Sequence, residues 1–331
     1  MNKRERLQMT VTGESADRIP VALWRHFPGD DQRAADLARS HVMWMQQYDW
    51  DFLVVMPAKH YMVTDYGLFT EWTGNIWGHR SVIKSPVERT LHWTDLRVMD
   101  GRRGQFGKQS QCIPLIQSEL PSDTPILHVI YSPLTQARQL AGNDLLLRSL
   151  RTQPDRLRTG LNTLTETTLR FIETLRRDTQ IDGILYVTDC ASYTFMSEAE
   201  YAQFGLPFDD KVLDAIAPNW WLNIIALQGA VPMLHLFAGM PVQALNWASV
   251  EARPTLDRAQ FDFKGAFCAG LGENQHLLFG TPTTVRDAAM QAFDTMNRRR
   301  LILSAGHEIA ITTPHSNTQA VRDAVERTIR L

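Results

Sequence analysis

Eight short apolar runs recur along the 331 residues, and they constrain the fold more than any other feature of the chain. They are Val21–Trp24, Phe52–Met56, Ile126–Tyr131, Gly183–Thr188, Val231–Leu236, Val242–Trp247, Gly265–Ala269 and Leu301–Ser304. Near-continuous Val/Ile/Leu runs without polar alternation suit strands buried on both faces, as in a parallel sheet covered by helices. Eight of them separated by helical stretches predict an α/β chain folded as a (β/α)8 TIM barrel, with a doubly wound sheet as the alternative. One connection breaks the pattern. Residues 237–241 alone separate the fifth run from the sixth, whereas a parallel crossover takes about a dozen residues or more. A barrel distorted between its fifth and sixth strands, with a helix missing, is the expectation.

The intervening helices carry their own signals. Pro154–Arg177 places Leu157, Leu161, Leu164 and Leu169 at nearly helical spacing. Ser197–Phe204 opens on a Ser-x-x-Glu capping pattern, and Thr281-Pro282 starts a helix running to about Asn297. Asp30–Tyr48 and His315–Arg330 complete the set. Residues 60–110, with Trp72, Trp77 and Trp93 among glycines, look like a hairpin-and-loop insertion. The expected organisation is one barrel domain over residues 1–331 carrying that insertion.

Composition excludes several classes of function. Lys+Arg numbers 34 against 36 Asp+Glu, a net charge of −2, which argues against a dedicated nucleic-acid binder. The Arg298–Arg300 run suits a solvated helix end. Cys112, Cys190 and Cys268 lie far apart with no CxxC pair, so no disulfide framework or zinc ribbon is expected. The charged Met-Asn-Lys-Arg-Glu-Arg start is followed by no apolar core of a signal peptide, and no run of about 18 apolar residues suggests a membrane span. A cytoplasmic protein with a small-molecule substrate, and no nucleic-acid or membrane partner, is expected.

In TIM barrels the chemistry sits at the C-terminal ends of the strands. Those ends supply Trp24-Arg25-His26, Lys59-His60, Tyr131, Asp189-Cys190 with Tyr193, His235, Asn246-Trp247, Glu273 and His307-Glu308. Arg25, Asp189, His235 and His307 are the candidate catalytic residues. An arginine at the end of a buried strand requires an anion or a carboxylate, and Asp189 could be its partner. Trp24, His26, Tyr131, Tyr193, Asn246 and Trp247 are candidate substrate contacts. His235 and His307 are candidate metal ligands, with Asp189, Cys190 or Glu308 available as a third. The two histidines are expected to point into one cavity together with Arg25 or Asp189.

Three stretches carry a family resemblance. Asp17–His26 (Asp-Arg-Ile-Pro-Val-Ala-Leu-Trp-Arg-His), Ala244–Trp247, and Leu303–Glu308 with Thr313–Asn317 resemble, in order, motifs of the uroporphyrinogen decarboxylase superfamily. The resemblance implies a (β/α)8 barrel and either porphyrinogen decarboxylation or zinc-dependent methyl transfer between corrinoids and thiols. Of the decarboxylase residues, Arg25 matches the first substrate arginine, but the second falls on Gly29. The aspartate that gathers pyrrole N–H groups falls on Ala58, and the pocket tyrosine falls near Gln139. Of the methyltransferase zinc ligands, the His-x-Cys pair falls on His235-Leu236-Phe237, and the C-terminal cysteine on His307.

The resulting expectation is a divergent member of the superfamily acting on a small substrate by methyl transfer or related one-carbon or decarboxylation chemistry. Zinc, a corrinoid protein partner and a homodimer are implied by the resemblance. The alternatives are a porphyrinogen decarboxylase, with Asp65 or Asp189 replacing the missing aspartate, and a non-catalytic barrel binding a tetrapyrrole or corrinoid.

Overall fold

The computed structural model describes residues 1–216, 218–259 and 263–326. Seven parallel strands form one curled sheet: β1 (Leu53–Val55), β4 (Ile126–Tyr131), β5 (Gly183–Thr188), β6 (Ile224–Leu227), β7 (Ala244–Asn246), β8 (Ala266–Leu271) and β9 (Leu301–Ala305). β2 (Phe69–Glu71) and β3 (Ser81–Lys84) form a separate antiparallel hairpin. The sheet neighbours follow chain order from β1 to β9, each strand beside the next in parallel. Every residue of the seven sheet strands is buried, which accounts for the absence of polar alternation in the sequence.

The segment around Val21 closes the barrel. Leu303 N–H donates to the Pro20 carbonyl at 2.8 Å, Ala22 N–H donates to the Leu303 carbonyl at 3.2 Å, and Asp51 N–H donates to the Val21 carbonyl at 2.9 Å. The segment thus occupies the eighth position between β9 and β1, completing a (β/α)8 barrel. At this end Asp51 is fully buried and accepts from Arg6 Nη1 (2.6 Å), Arg18 Nη1 (2.6 Å), Arg18 Nη2 (3.0 Å) and Val21 N–H (2.7 Å). The Asp-Arg-Ile-Pro opening is a clamp on the floor of the barrel.

One strand differs from expectation. The fifth strand is Ile224–Leu227, and Val231–Leu236 is instead a bridge at Pro232 followed by a 3-10 turn over Leu234–Phe237. The run pairs with the loop after β5 rather than in the sheet, Tyr193 N–H donating to the Val231 carbonyl at 3.0 Å and Met233 N–H to the Ala191 carbonyl at 2.9 Å. The departure from the βα repeat is present, with a different origin: residues 228–243 cross from β6 to β7 through that turn and no α-helix.

The helices pack their apolar stripes on the barrel. Helix Pro154–Asp178 buries Leu157, Leu161, Leu164, Phe171, Ile172 and Leu175, and Leu169, off the stripe, is half-buried. Each such side chain contributes roughly 1.5–3 kcal/mol, so Leu164→Ala would cost about 2–5 kcal/mol once the cavity is counted. The last helix spans His315–Glu326; the rest of the expected His315–Arg330 stretch lies outside the described residues. Among the described residues, no helix is long and apolar enough to cross a membrane.

Candidate functional site

His26, His79 and Glu308 meet at the C-terminal mouth of the barrel, with one ligand atom from each lying within 4.8 Å of the others. His26 follows the closing segment, His79 leaves the loop of the β2–β3 hairpin, and Glu308 follows β9. Gly78, at φ 77°, makes the approach possible, since a Cβ there would lie 2.6 Å from the Cβ of His26. The His26 and His79 rings stand edge to face at 5.3 Å.

Hydrogen-bond accounting fixes what each group offers. His26 Nδ1 lies 2.9 Å from the Pro57 carbonyl, which can only accept, so Nδ1 carries the proton and Nε2 keeps a bare lone pair. That Nε2 is buried without a partner. Burial pushes the His26 pKa down to about 4, so the ring is neutral near pH 7. His79 Nε2 is 2.7 Å from Glu308 Oε1, while Lys59 Nζ donates to His79 Nδ1 at 3.3 Å. Gln228 Nε2 donates to Glu308 Oε2 at 3.4 Å. Burial opposes ionisation of Glu308, but the His79 hydrogen bond and the charges of Lys59 and His307 hold its carboxyl well below the ordinary range.

These residues fit a divalent first-row metal. Two imidazoles and a carboxylate with an open fourth position form a zinc-type catalytic donor set. The unpartnered Nε2 of His26 is a preformed ligand atom, and its Nδ1–H on a backbone carbonyl is the usual support of a metal-binding histidine. Sulfur is absent from the group. Burial pushes the thiols of Cys112 and Cys268 up to about 12 and Cys190 well above its ordinary value, and Cys190 Sγ donates to Asp189 Oδ1 at 3.3 Å. All three cysteines are therefore packed as thiols.

The sequence-stretch candidates separate across the barrel. His235 is half-exposed, with Nε2 3.1 Å from Glu198 Oε2, and Tyr193 donates to the same carboxylate. His307 instead packs edge to face with Trp77 at 5.5 Å, with Nδ1 3.0 Å from the Glu308 carbonyl and Nε2 4.0 Å from Glu273 Oε1. His235 and His307 thus engage different partners, and among the described residues neither joins a three-ligand group. The displacement of the fifth strand from Val231–Leu236 to Ile224–Leu227 is the reason: His235 sits on a turn beyond the barrel rather than at a strand end. Arg25 is not paired with Asp189 either. Its guanidinium lies over the rings of Phe27 and Trp44, at 5.1 and 5.0 Å, and Nη1 donates to the Ile311 carbonyl at 3.1 Å. Asp189 accepts from Thr135 Oγ1 at 2.9 Å and pairs with Arg138 at 3.4 Å.

Among the candidate substrate contacts, Tyr131 stays at the mouth, where burial, with Glu308 and Asp189 nearby, pushes its pKa well above the ordinary value. Trp24 packs on Phe52 in the core, and Trp247 is fully buried, donating to the Pro254 carbonyl at 2.8 Å. Asn246 donates to the carbonyls of Cys268 and Ala305 inside the barrel. Of the functional set, sequence reasoning missed His79, because it lies in the insertion and only the tertiary fold brings it to His26. Gly78 beside it was the one available signal.

A protein-family model described as uroporphyrinogen decarboxylase (URO-D) matches residues 32–328. The chain belongs to the URO-D family. It is similar to the methylcobamide:CoM methyltransferase MtbA of Methanosarcina mazei, with 22% identity across 96% of this chain and 95% of the relative. It is also similar to the uroporphyrinogen decarboxylase of Prochlorococcus marinus, with 29% identity over 38% of this chain and 35% of that protein. Among solved structures, a methyltransferase from Methanosarcina mazei superposes with a TM-score of 0.87 at 18% identity over 99% of both chains. A B12-independent methionine synthase from Shewanella shares the barrel at a TM-score of 0.59 and 10% identity, over 97% of each chain.

Proposed function

We propose that this URO-D family chain is a metal-dependent methyltransferase that moves a methyl group between a corrinoid, carried by a partner protein, and a small thiol acceptor in the cytoplasm. The observation that carries the reading is the His26–His79–Glu308 group with its unpartnered imidazole nitrogen. The near full-length similarity to a methylcobamide:CoM methyltransferase supports the same chemistry. Zinc bound there would supply Lewis acidity that lowers the pKa of a thiol. His26 offers a neutral lone pair, and Glu308 offers a carboxylate already ionised by its neighbours. His26 and Glu308 are both buried, which limits water around the group.

Decarboxylation is the weaker reading. Asp65, one candidate replacement for the missing aspartate, accepts from Gln105 N–H at 2.7 Å at the end of helix Tyr61–Thr64. Asp189, the other, is held by Thr135 and neutralised by Arg138. By family analogy the working unit is a homodimer.

Zinc-loaded protein mixed with methylcobalamin and a small thiol tests the proposal. The expected result is loss of the methylcobalamin absorption bands with formation of the S-methyl product, abolished in His26→Ala. No demethylation above the uncatalysed rate, together with stepwise loss of carboxylates from uroporphyrinogen, would overturn it.

A further inference from the structure

The Arg298–Arg300 run, which the mouth does not use, stands at the opposite end of the barrel. Helix Pro282–Thr295 ends just before it, and Asn297, Arg298 and Arg300 take left-handed backbone, at φ 49°, 57° and 52°. Asparagine tolerates that region, whereas an arginine there is strained and a glycine would not be. The turn closes its own backbone. The N–H groups of Met296, Asn297, Arg298 and Arg299 donate to the carbonyls of Ala292, Asp294, Phe293 and Met296 in turn. What the turn offers outward is therefore its side chains.

One strained arginine has a visible reason. Arg300 Nη2 donates to the Thr12 carbonyl at 2.9 Å and Nη1 to the Val11 carbonyl at 3.2 Å, and Nη1 also reaches the Lys264 carbonyl, so the side chain caps the end of helix Lys3–Thr12. Gly13 leaves room for it, since a Cβ there would lie 2.6 Å from Arg300 Nε. Arg298 has no such reason. Among the described residues, neither its guanidinium nor that of Arg299 has a hydrogen bond or ion pair. A local rule broken without a gain in packing points to a use for the side chain.

Both side chains line a cavity of about 230 Å³ between the turn, the end of helix Lys3–Thr12 and the closing segment. Four arginines (Arg18, Arg298, Arg299 and Arg300) stand around it against two acids (Glu14 and Asp17), in a chain whose net charge is −2. Asp17 is already neutralised, its oxygens accepting from Arg6 at 2.7 and 2.8 Å and from Arg18 N–H at 2.9 Å. Arg18 is engaged by Asp51, and Arg300 by the helix cap. The charges left are Arg298 and Arg299 against Glu14, which accepts from Thr12 Oγ1 at 3.2 Å. Two guanidinium forks match the oxygens of a phosphate group. The volume lies below the roughly 300–1,000 Å³ of pockets for drug-sized ligands, which suits an ion or a short phosphate ester.

We infer that this floor cavity is a second binding site, for a phosphate group free or carried by a small ligand, with Arg298 and Arg299 as its anchors. The strained turn holds Arg298 on the cavity, as the same turn holds Arg300 on the helix end. The occupant ties the turn before β9 to the closing segment and to helix Lys3–Thr12, which the Asp51 clamp already joins. The site is independent of the metal group, which lies at the other end of the strands.

Titration calorimetry of the full chain with inorganic phosphate, pyrophosphate and glycerol 3-phosphate, at an ionic strength matched with chloride, tests the inference. At least one should bind about tenfold or more tightly than acetate, and the tightest of the three distinguishes a free ion from an ester. Arg298→Gly should abolish that preference while unfolding, in phosphate-free buffer, at the same or a higher urea concentration, because glycine relieves the left-handed backbone. Arg299→Met should weaken the preference severalfold. His26→Ala should leave it unchanged, which separates the floor from any phosphate drawn to the mouth. Phosphates bound no better than acetate, or a preference that survives Arg298→Gly or is lost in His26→Ala, overturns the inference. A lower urea midpoint in Arg298→Gly overturns it too, since the arginine would then serve the fold.

Discussion

Two buried ionic clusters stand at opposite ends of this barrel, and they are built on opposite principles. On the floor, Asp51 receives four hydrogen bonds from Arg6, Arg18 and Val21 N–H, so a fully buried carboxylate is matched to two guanidinium groups. At the mouth, the His26–His79–Glu308 group leaves His26 Nε2 with no partner. The first arrangement ties helix Lys3–Thr12 and the closing segment to the start of β1. The second leaves open a lone pair that packing alone could have closed. A saturated cluster stabilises a fold, whereas an undersaturated one waits for a ligand.

The sharpest way to break the contrast is at the floor. Asp51→Ala leaves Arg18 and the Val21 N–H buried without their carboxylate, Arg6 keeping Asp17, and should cost about 3–5 kcal/mol in urea unfolding. Acid comes next. His26 and His41 have pKa values pushed down to about 4 and His128 to about 3, each chiefly by burial. Their folded values lie below the unfolded value, so the stability tied to their neutral forms is complete above about pH 6.5 and lost as pH falls towards 4. Asp209, accepting from Tyr186 and Tyr201, is pushed the other way to about 7 by burial. Its contribution is complete below about pH 4 and lost as pH rises through 7. Between pH 6 and 4.5 these three histidines, joined by His60 with its pKa pushed down to about 3 by burial, oppose one aspartate, giving a loss near about 4 kcal/mol per pH unit, and His26→Gln should reduce that slope by about 1.4 kcal/mol. Unfolding midpoints of the two proteins across this range would check it.

A smaller effect is expected at the mouth itself. Glu308→Gln in metal-free protein should cost about 1–3 kcal/mol, because it removes a carboxylate that the His79 hydrogen bond and the charges of Lys59 and His307 hold ionised, while the amide keeps the shape. Smallest of all, His235→Ala removes a half-exposed contact to Glu198 and should change the unfolding midpoint by no more than about 0.5 kcal/mol, with zinc uptake intact.

The barrel was largely legible because parallel strands buried on both faces leave near-continuous apolar runs, and Phe52–Met56, Ile126–Tyr131 and Gly183–Thr188 contain β1, β4 and β5. Ile224–Leu227 was passed over although β1 and β7 are shorter still, because Val231–Leu236 a few residues on offers a longer apolar run, which pairs instead with the loop after β5. That single slip placed His235 at the mouth. His26 and Glu308 could be read from their positions after strand ends. His79 could not, since an insertion has no period to place it, and its meeting with His26 depends on the bare backbone of Gly78. Where the family's thiol ligands would stand the sequence has Phe237 and His307, and no local motif announces the nitrogen and oxygen group at the mouth.

Zinc stoichiometry measured across four variants tests the central claim most directly. The wild-type chain should bind one equivalent after reconstitution, and His26→Ala, His79→Ala and Glu308→Gln should each weaken binding by on the order of a hundredfold or more, while His235→Ala binds as wild type does. Zinc retained by all three mouth variants, or lost in His235→Ala, would contradict a metal centre at the barrel mouth.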